Sequence, residues 1–136
     1  MNIFKRYYID TIKNRFADFE GRASRSEYWY FALFNFVVFM GAGFLAGILG
    51  TISPRLTMVV MGILSIFMIA IFIPGLSLAV RRLHDTGKSG WMLLLGVIPL
   101  VGPIILLVFY VTESTPGINE YGPNPLEIEQ FAEDYV

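Results

Sequence analysis

A ten-residue polar segment, Arg81 to Gly90, carries the densest chemistry of this 136-residue chain. We call it the hinge; it holds the only histidine, His84, next to Asp85, and it ends against Trp91. Histidine and carboxylate side chains perform general acid–base catalysis, but adjacent residues seldom orient each other as a catalytic pair. The chain offers no cysteine and no second histidine as nucleophile or metal ligand. We therefore expect no enzymatic activity, no metal and no cofactor, and keep catalysis by His84 and Asp85 as the least favoured alternative.

The basic residues in and near the hinge suggest contact with anions. Guanidinium groups bind phosphate in a bidentate manner, and basic clusters beside a membrane bind anionic lipid. The residues that we predict for lipid or anion binding are Arg22, Arg25, Arg81, Arg82 and Lys88. A role as ordinary topology anchors is the simpler interpretation and is favoured over a specific headgroup site. The predicted structural residues of the hinge are His84, Asp85, Gly87, Gly90 and Trp91, with Asp85 pairing with a hinge arginine or with loop amides.

Three long apolar runs must position the hinge. The chain is 55% hydrophobic and 15% charged, with a mean hydropathy of +0.61, which is typical of a membrane protein. The runs cover residues 28–50, 56–80 and 91–111, and each is long enough to cross a hydrocarbon core of about 30 Å. We predict an all-α membrane protein with three transmembrane helices. Residues 1–125 form one integral membrane domain, and residues 126–136 form an acidic tail.

Local signals indicate where the first two helices begin. Ser24 and Glu27 have the spacing of a capping box at the start of the first span. Ser53, followed by a proline, has the pattern of a cap at the start of the second. Only five residues separate the two spans, so we predict an antiparallel hairpin. Gly43 and Gly47 lie on one face of the first span and allow close helix packing, within the chain in preference to a homodimer.

The segment before the first span has apolar residues at helical spacing. These residues are Phe4, Tyr8, Ile12, Phe16 and Phe19. With charged residues between them, they predict an amphipathic helix that lies in the membrane interface. We expect no cleavable signal peptide. Within the first span, Asn35 is the most polar side chain, and we expect it to bond to another helix.

Pro99 and Pro103 interrupt the third run near its midpoint. The interruption permits either one broken crossing or two half-helices that enter and leave on the same side of the membrane. The length of the run favours the crossing. This choice decides on which side of the membrane the acidic tail lies.

The distribution of basic residues predicts the orientation. Lysine and arginine in short loops favour the cytoplasmic side of a membrane. With a cytoplasmic N-terminus, nine of the ten basic residues face inward, since only Arg55 lies in the loop between the first two spans. We therefore predict a multi-pass protein with its N-terminus in the cytoplasm.

Three polar segments together resemble a known family. They are residues 19–29 (FEGRASRSEYW), the hinge with its tryptophan (RRLHDTGKSGW) and residues 119–125 (NEYGPNP). They are similar to the small bacterial inner-membrane proteins of domain-of-unknown-function family 805. The resemblance implies an integral protein of the bacterial inner membrane and assigns no functional residues. If the three segments form one site, the third run must re-enter the membrane and Gly117 must lie on the same side as the hinge.

The expected function is therefore that of a non-enzymatic membrane module. Its expected partners are anionic membrane lipids, a second copy of itself or another membrane protein, and no nucleic acid. The alternative is a subunit of an oligomeric channel or transporter. The three runs contain no aspartate, glutamate, lysine, arginine or histidine, and ion-coupled transport usually needs such a residue inside the membrane.

Overall fold

The structure, a computed structural model, describes residues 2–135. These residues form helices and connections, without a β-strand among them. A π-helical turn, Lys5–Ile9, continues into α1 (Asp10–Lys13), and the remaining elements are α2 (Arg25–Gly50), α3 (Pro54–Asp85), a 3-10 helix (Gly90–Val97), α4 (Val101–Val111) and α5 (Pro125–Asp134). The prediction of an all-helical protein is confirmed.

The helices α2 and α3 form an antiparallel hairpin, and both are long and apolar enough to cross a membrane. Near the connection, the Thr57 hydroxyl donates to the Ala46 carbonyl at 3.1 Å. Farther along, the rings of Phe39 and Phe67 meet edge to face, with centroids 5.9 Å apart. Contacts at both levels of the hairpin hold the two helices side by side, as the short connection predicts.

The starts of both helices follow the capping signals in the sequence. Ser24 is the N-cap of α2, and its hydroxyl accepts from the amide of Glu27 at 3.2 Å. The Glu27 carboxylate does not complete the capping box; it pairs with Arg81 instead, at 2.8 Å. Ser53 occupies the N-cap position of α3, with Pro54 at the first helical position, where its missing amide costs nothing.

Helix α3 continues through the first half of the hinge, five residues beyond the apolar run that ends at Val80. Gly87 ends it with a φ of +73°, and the Lys88 amide donates to the Leu83 carbonyl at 2.9 Å. This is a Schellman cap, and glycine suits its left-handed position. Gly87 thus has the structural role predicted for it. The polar side chains of the last turn are buried because they find partners, which are described below.

The third apolar run, for which its length favours one broken crossing, folds back on itself instead. Ile98 is extended, as expected for a residue before proline, so the 3-10 helix ends there. Leu100 turns the chain with a φ of +62°. At Gly102, an added Cβ would lie 1.6 Å from the carbonyl oxygen of Leu95, so the two short helices are in backbone contact. The structure therefore has the folded-back geometry that the prolines permit.

Both ends of this folded-back segment lie beside the C-terminal end of α3. At its start, a Cβ added to Gly90 would lie 2.8 Å from Val80. At its end, the carbonyl of Tyr110 accepts from Arg82 Nε at 3.1 Å. The chain after α4 is therefore at the same end of the hairpin as the hinge.

The N-terminal helix is shorter than the spacing of apolar residues predicts, because it ends at Lys13 and leaves Phe16 and Phe19 outside it. Its buried residue Tyr8 packs against Phe31, and the Tyr8 hydroxyl donates to Asn35 Oδ1 at 3.0 Å. The bond expected from Asn35 to another helix is confirmed.

The acidic tail also folds back, toward the N-terminal helix. It forms α5, in which Glu129 pairs with Arg6 at 2.7 Å. In the same helix, the Glu127 carboxylate accepts from the Gly117 amide at 2.9 Å. The tail is thus tied to both the N-terminal segment and the loop after α4.

The small-residue face of α2 remains open. A Cβ added to Gly43 or to Gly47 would meet no atom within 4 Å in the part of the chain described. The packing within the chain that we predicted for these glycines is not found. Their face of the helix is exposed.

Candidate functional site

Five charged side chains meet at the end of α3, and we call them the arginine cluster. They are Arg22, Glu27, Arg81, Arg82 and Asp85. Arg81, Arg82 and Asp85 are 0% exposed, and Arg22 is 5% exposed. Burial of charged groups is expensive unless each finds an opposite charge and enough hydrogen bonds. The partners of each side chain therefore determine whether its buried charge is compensated.

Asp85 is the central anion of the cluster. Its Oδ1 accepts from Arg22 Nε at 2.9 Å, and its Oδ2 accepts from Arg82 Nη1. Oδ2 also accepts from the Ser114 hydroxyl at 2.5 Å. Pairing of Asp85 with a hinge arginine is confirmed for Arg82, whereas Arg22 and Ser114 are partners that sequence reasoning missed. One carboxylate thus links the segment before α2, the end of α3 and the loop after α4.

Arg22 uses its remaining donors on backbone carbonyls of that loop. Its terminal nitrogens donate to the oxygens of Thr115, Gly117 and Gly122, at 2.6, 2.8 and 3.2 Å. A planar guanidinium with five N–H donors suits this arrangement better than a lysine would. Arg22 therefore fixes the path of the loop between α4 and α5.

Arg82 holds the end of α4 in the same way. Besides Asp85, it donates to the carbonyls of Ala23, Tyr110 and Thr112. The last four carbonyls of a helix have no partner within the helix and carry a partial negative charge, so a buried cation is favourable there. Arg82 thus joins the C-terminal end of α4 to the segment before α2.

Arg81 is the least satisfied member of the cluster. Its Nη1 donates to Glu27 Oε1 at 2.8 Å, while Nε and Nη2 have no hydrogen-bond partner within residues 2–135. Three guanidinium groups face two carboxylates, so the cluster has one positive charge in excess. The excess charge arises where Arg22 and Arg82 share Asp85, whereas the unpartnered N–H donors are those of Arg81.

His84 lies beside the cluster, four residues past the end of the apolar run. Its Nδ1 is 3.1 Å from the Gly21 carbonyl oxygen, and its ring stacks on Tyr121 with centroids 3.8 Å apart. The His84 carbonyl accepts from Asn119 Nδ2 at 2.9 Å. Burial lowers the pKa of His84, an effect opposed by the bond to Gly21 and the charge of Glu120. The imidazole is therefore held in its neutral form by packing.

The predicted site residues fall into two groups. Arg22, Arg81 and Arg82 are buried and bonded inside the protein, where no headgroup reaches them. Arg25 and Lys88 are different: Arg25 is exposed, and the Lys88 ammonium lies 4.6 Å above the Phe109 ring at the surface. Of the five cations predicted to contact lipid, these two lie at the surface of the protein.

The second half of the hinge packs against α3, except at its end. Gly90 is in such close contact with α3 that a Cβ would collide with Val80. Trp91, which we predicted to be structural, is 79% exposed. Its indole is available to lipid or to a ligand.

The loop after α4 contains the functional residues that sequence reasoning missed. Ser114 and the carbonyl oxygens of this loop that accept from Arg22 carry no recognisable signal in the sequence. Asn119 and Tyr121, which bond to and stack on His84, lie within the third segment of the family resemblance. The hypothesis that the three polar segments form one site was the sequence signal that pointed to this loop. The structure brings all three segments together.

The fold and the cluster together define a class: an all-helical membrane protein in which buried arginines join a polar hinge to both neighbouring segments. The family model described as protein of unknown function (DUF805) matches residues 16–123. Inner membrane protein YhaI of Escherichia coli (strain K12) is 42% identical over 120 residues, which cover 88% of this chain and 95% of the relative. Inner membrane protein YhaH of the same strain is 40% identical with the same coverage. No solved structure matches the chain.

The chain therefore belongs to the DUF805 family of membrane proteins. The matched region begins near the arginine cluster and ends within the loop that Arg22 holds. It contains all five residues of the cluster.

Proposed function

We propose that this protein is a non-enzymatic module of the bacterial inner membrane that binds anionic phospholipid through Arg25. In this proposal the arginine cluster holds the segment before α2, the end of α3 and the loop after α4 together. The observation that carries the proposal is the division of the cations. Three arginines are buried and paired with internal carboxylates, and an exposed arginine, Arg25, lines a mostly apolar groove.

The proposed topology has two crossings, α2 and α3, and one re-entrant segment formed by the 3-10 helix and α4. Support comes from the position of both ends of that segment beside the hinge. With the N-terminus in the cytoplasm, the cluster and the acidic tail are then cytoplasmic. Arg55, in the connection between α2 and α3, is the single basic residue left on the outer side.

The proposed lipid site is a groove of about 430 Å³ lined by Arg25, Ser26, Trp29, Tyr30, Leu33 and Val111. Its walls are mostly apolar, with Arg25 and Ser26 in the first turn of α2 and Leu33 about two turns further along the helix. This arrangement fits a phospholipid, with the phosphate on Arg25 and an acyl chain along the aromatic and aliphatic wall. An exposed carboxylate, Glu113, lies 3.7 Å from Arg25 and competes with the phosphate.

The test compares lipids retained by the purified protein in native mass spectrometry. A basic residue near an anionic surface contributes about 1 kcal/mol, so Arg25→Gln is expected to lower the retained phosphatidylglycerol about fivefold relative to phosphatidylethanolamine. Arg55→Gln is the matched control, since it removes the same charge at the opposite end of the hairpin. Equal lipid retention by the Arg25 variant and the unmodified protein would reject the lipid site.

The absence of enzymatic activity remains part of the proposal and has geometric support. The His84 ring is bonded to a backbone carbonyl, while the Asp85 carboxylate is engaged by two guanidinium groups and a hydroxyl. General acid–base catalysis needs each group within hydrogen-bond reach of the proton that it transfers, and the Asp85 carboxylate is already occupied by internal donors. The groups here are directed to different partners.

We also propose that the protein self-associates through the open face of α2 at Gly43 and Gly47. Helices in lipid associate through such small residues because their backbones approach closely. Replacement of both glycines by isoleucine is expected to convert a dimer to a monomer in native mass spectrometry. A monomeric unmodified protein would reject this form without affecting the lipid site.

A further inference from the structure

A second groove lies between α3 and the 3-10 helix, and it shares no lining residue with the groove at Arg25. Its volume is about 560 Å³. Leu76 and Val80 form the α3 wall, and Leu93 and Leu94 form the facing wall. In the proposed topology these four residues belong to the two apolar segments that flank the hinge, next to the lipid chains.

His84 supplies the polar end of this groove. The residue is 9% exposed and lines the groove. Its Nδ1 faces the Gly21 carbonyl, which can only accept a hydrogen bond, so Nδ1 carries the proton. In the neutral ring Nε2 then has a free lone pair, and it has no partner in the described part of the chain. The His84 residue is 9% exposed, so a ligand that donates a hydrogen bond from within the groove would satisfy Nε2.

The remaining lining restricts the head of that ligand. None of the ten lining residues is an acid, a lysine or an arginine. A phosphate would lose its hydration there without gaining an opposite charge, so a charged headgroup is disfavoured. Three aromatic rings line the groove, those of Phe19, Trp91 and Tyr121, and aromatic walls favour a flat aromatic head through stacking.

We propose that this groove binds a membrane hydroquinone, with one phenolic hydroxyl donating to His84 Nε2 and the apolar tail lying between α3 and the 3-10 helix. The hydroquinone is bound, and no bond in it is made or broken. The site is separate from Arg25 and takes an uncharged ligand, so it stands independently of the proposed anionic lipid site.

The single histidine makes the proposed bond directly observable. Protein labelled with ¹⁵N-histidine, in nanodiscs of phosphatidylcholine, gives the imidazole signals of His84 alone. Titration with decyl-hydroquinone is expected to shift the Nε2 resonance in a saturable manner, because the lone pair accepts a hydrogen bond. The Nδ1 resonance changes much less, since its bond to Gly21 persists.

The control ligands separate the hydrogen bond from burial of the tail. The dimethyl ether of decyl-hydroquinone has the same ring and tail but no O–H donor, and it is expected to bind about tenfold more weakly. A short-chain diacylglycerol has a hydroxyl but no ring and is also expected to bind more weakly. Equal affinity for the ether or for the diacylglycerol, or no shift with the hydroquinone, would overturn the proposal.

Two surface variants test the location without altering His84. Leu94→Phe narrows the groove and is expected to weaken hydroquinone binding about fivefold or more, since overpacking costs of order 1 kcal/mol. Leu107→Phe makes the same change on α4, at a position that is 50% exposed and outside the groove. Unshifted His84 signals in the ligand-free variants report an intact fold. Equal binding by the two variants would place the ligand elsewhere.

Discussion

Replacement of Asp85 by asparagine removes the central anion of the arginine cluster while keeping the shape of the side chain. The variant leaves Arg22 and Arg82 buried with no carboxylate between them. Only Glu27 then remains to offset three guanidinium groups. The oxygen of the new amide still accepts a hydrogen bond. The NH₂ group of that amide faces other N–H or O–H donors and does not accept from them.

The size of the effect follows from burial. Breaking a buried ion pair by removing one partner costs about 3–5 kcal/mol, because the remaining charge stays out of water. Asp85 and both of its arginine partners are essentially inaccessible, so solvent screening does not reduce this value. The pair of Arg25 with Glu113 is exposed and 3.7 Å apart, and its loss is expected to cost about 1 kcal/mol or less.

The assay is equilibrium unfolding in mixed dodecyl maltoside and SDS micelles at pH 7.5, followed by circular dichroism. The free energy of unfolding of Asp85→Asn is expected to fall by about 3–5 kcal/mol. Glu113→Gln is the control, because it also removes one carboxylate from the same end of the protein. A loss below about 1 kcal/mol for Asp85→Asn, equal to that of the control, would refute the proposal that the arginine cluster holds the three segments together.

Three further predictions concern the elements around the cluster. Gly102→Ala is expected to destabilise the fold by about 3 kcal/mol or more, because its Cβ would overlap a carbonyl oxygen of the 3-10 helix, whereas Gly43→Ala is tolerated in the same SDS assay. Tyr8→Phe is expected to cost about 0.6–1.5 kcal/mol through loss of its bond to Asn35, and an unchanged midpoint would contradict that contact. For His84, the folded-state pKa lies below the unfolded value, so its stabilising contribution is present above the unfolded pKa of about 6.5 and is lost as pH falls through the folded pKa. Unfolding measured at pH 7.5 and pH 5.5 should therefore show a larger loss for the unmodified protein than for His84→Gln.

The first two helices were predictable because their determinants are local. A serine at each N-cap and a short connection between two apolar runs are enough to predict a helical hairpin. The bond of Asn35 was predictable for a related reason, since an amide among apolar side chains needs a partner.

The folded-back segment and the burial of the arginines depend on contacts between distant residues. The length of the third run fits one crossing as well as two half-helices. In the structure the run forms two short helices, and Arg82 bonds to the end of the second, α4. A basic cluster in the sequence looks the same whether it faces phosphate or backbone carbonyls. Carbonyl acceptors are present in every residue, so the sequence pattern does not reveal which of them Arg22 will hold.

The N-terminal amphipathic pattern illustrates a similar limit. Phe16 and Phe19 continue the helical spacing, yet the helix ends at Lys13. The Ser77 hydroxyl contacts the Arg15 and Phe16 carbonyls at 3.3 and 3.4 Å, so the chain after the helix is held against α3. Tertiary packing outweighs the local periodicity there.

The most direct test of the account is the side of the membrane on which the loop after α4 lies. The sequence contains no cysteine, so single cysteines can be introduced at Ile118 in that loop and at Ile52 between α2 and α3, which are 82% and 72% exposed. A membrane-impermeant maleimide is then applied to inside-out and right-side-out vesicles. If the third apolar segment is re-entrant, Ile118→Cys is labelled from the cytoplasmic side and Ile52→Cys from the opposite side. Labelling of both positions from the same side would contradict the folded-back segment and the single cytoplasmic cluster.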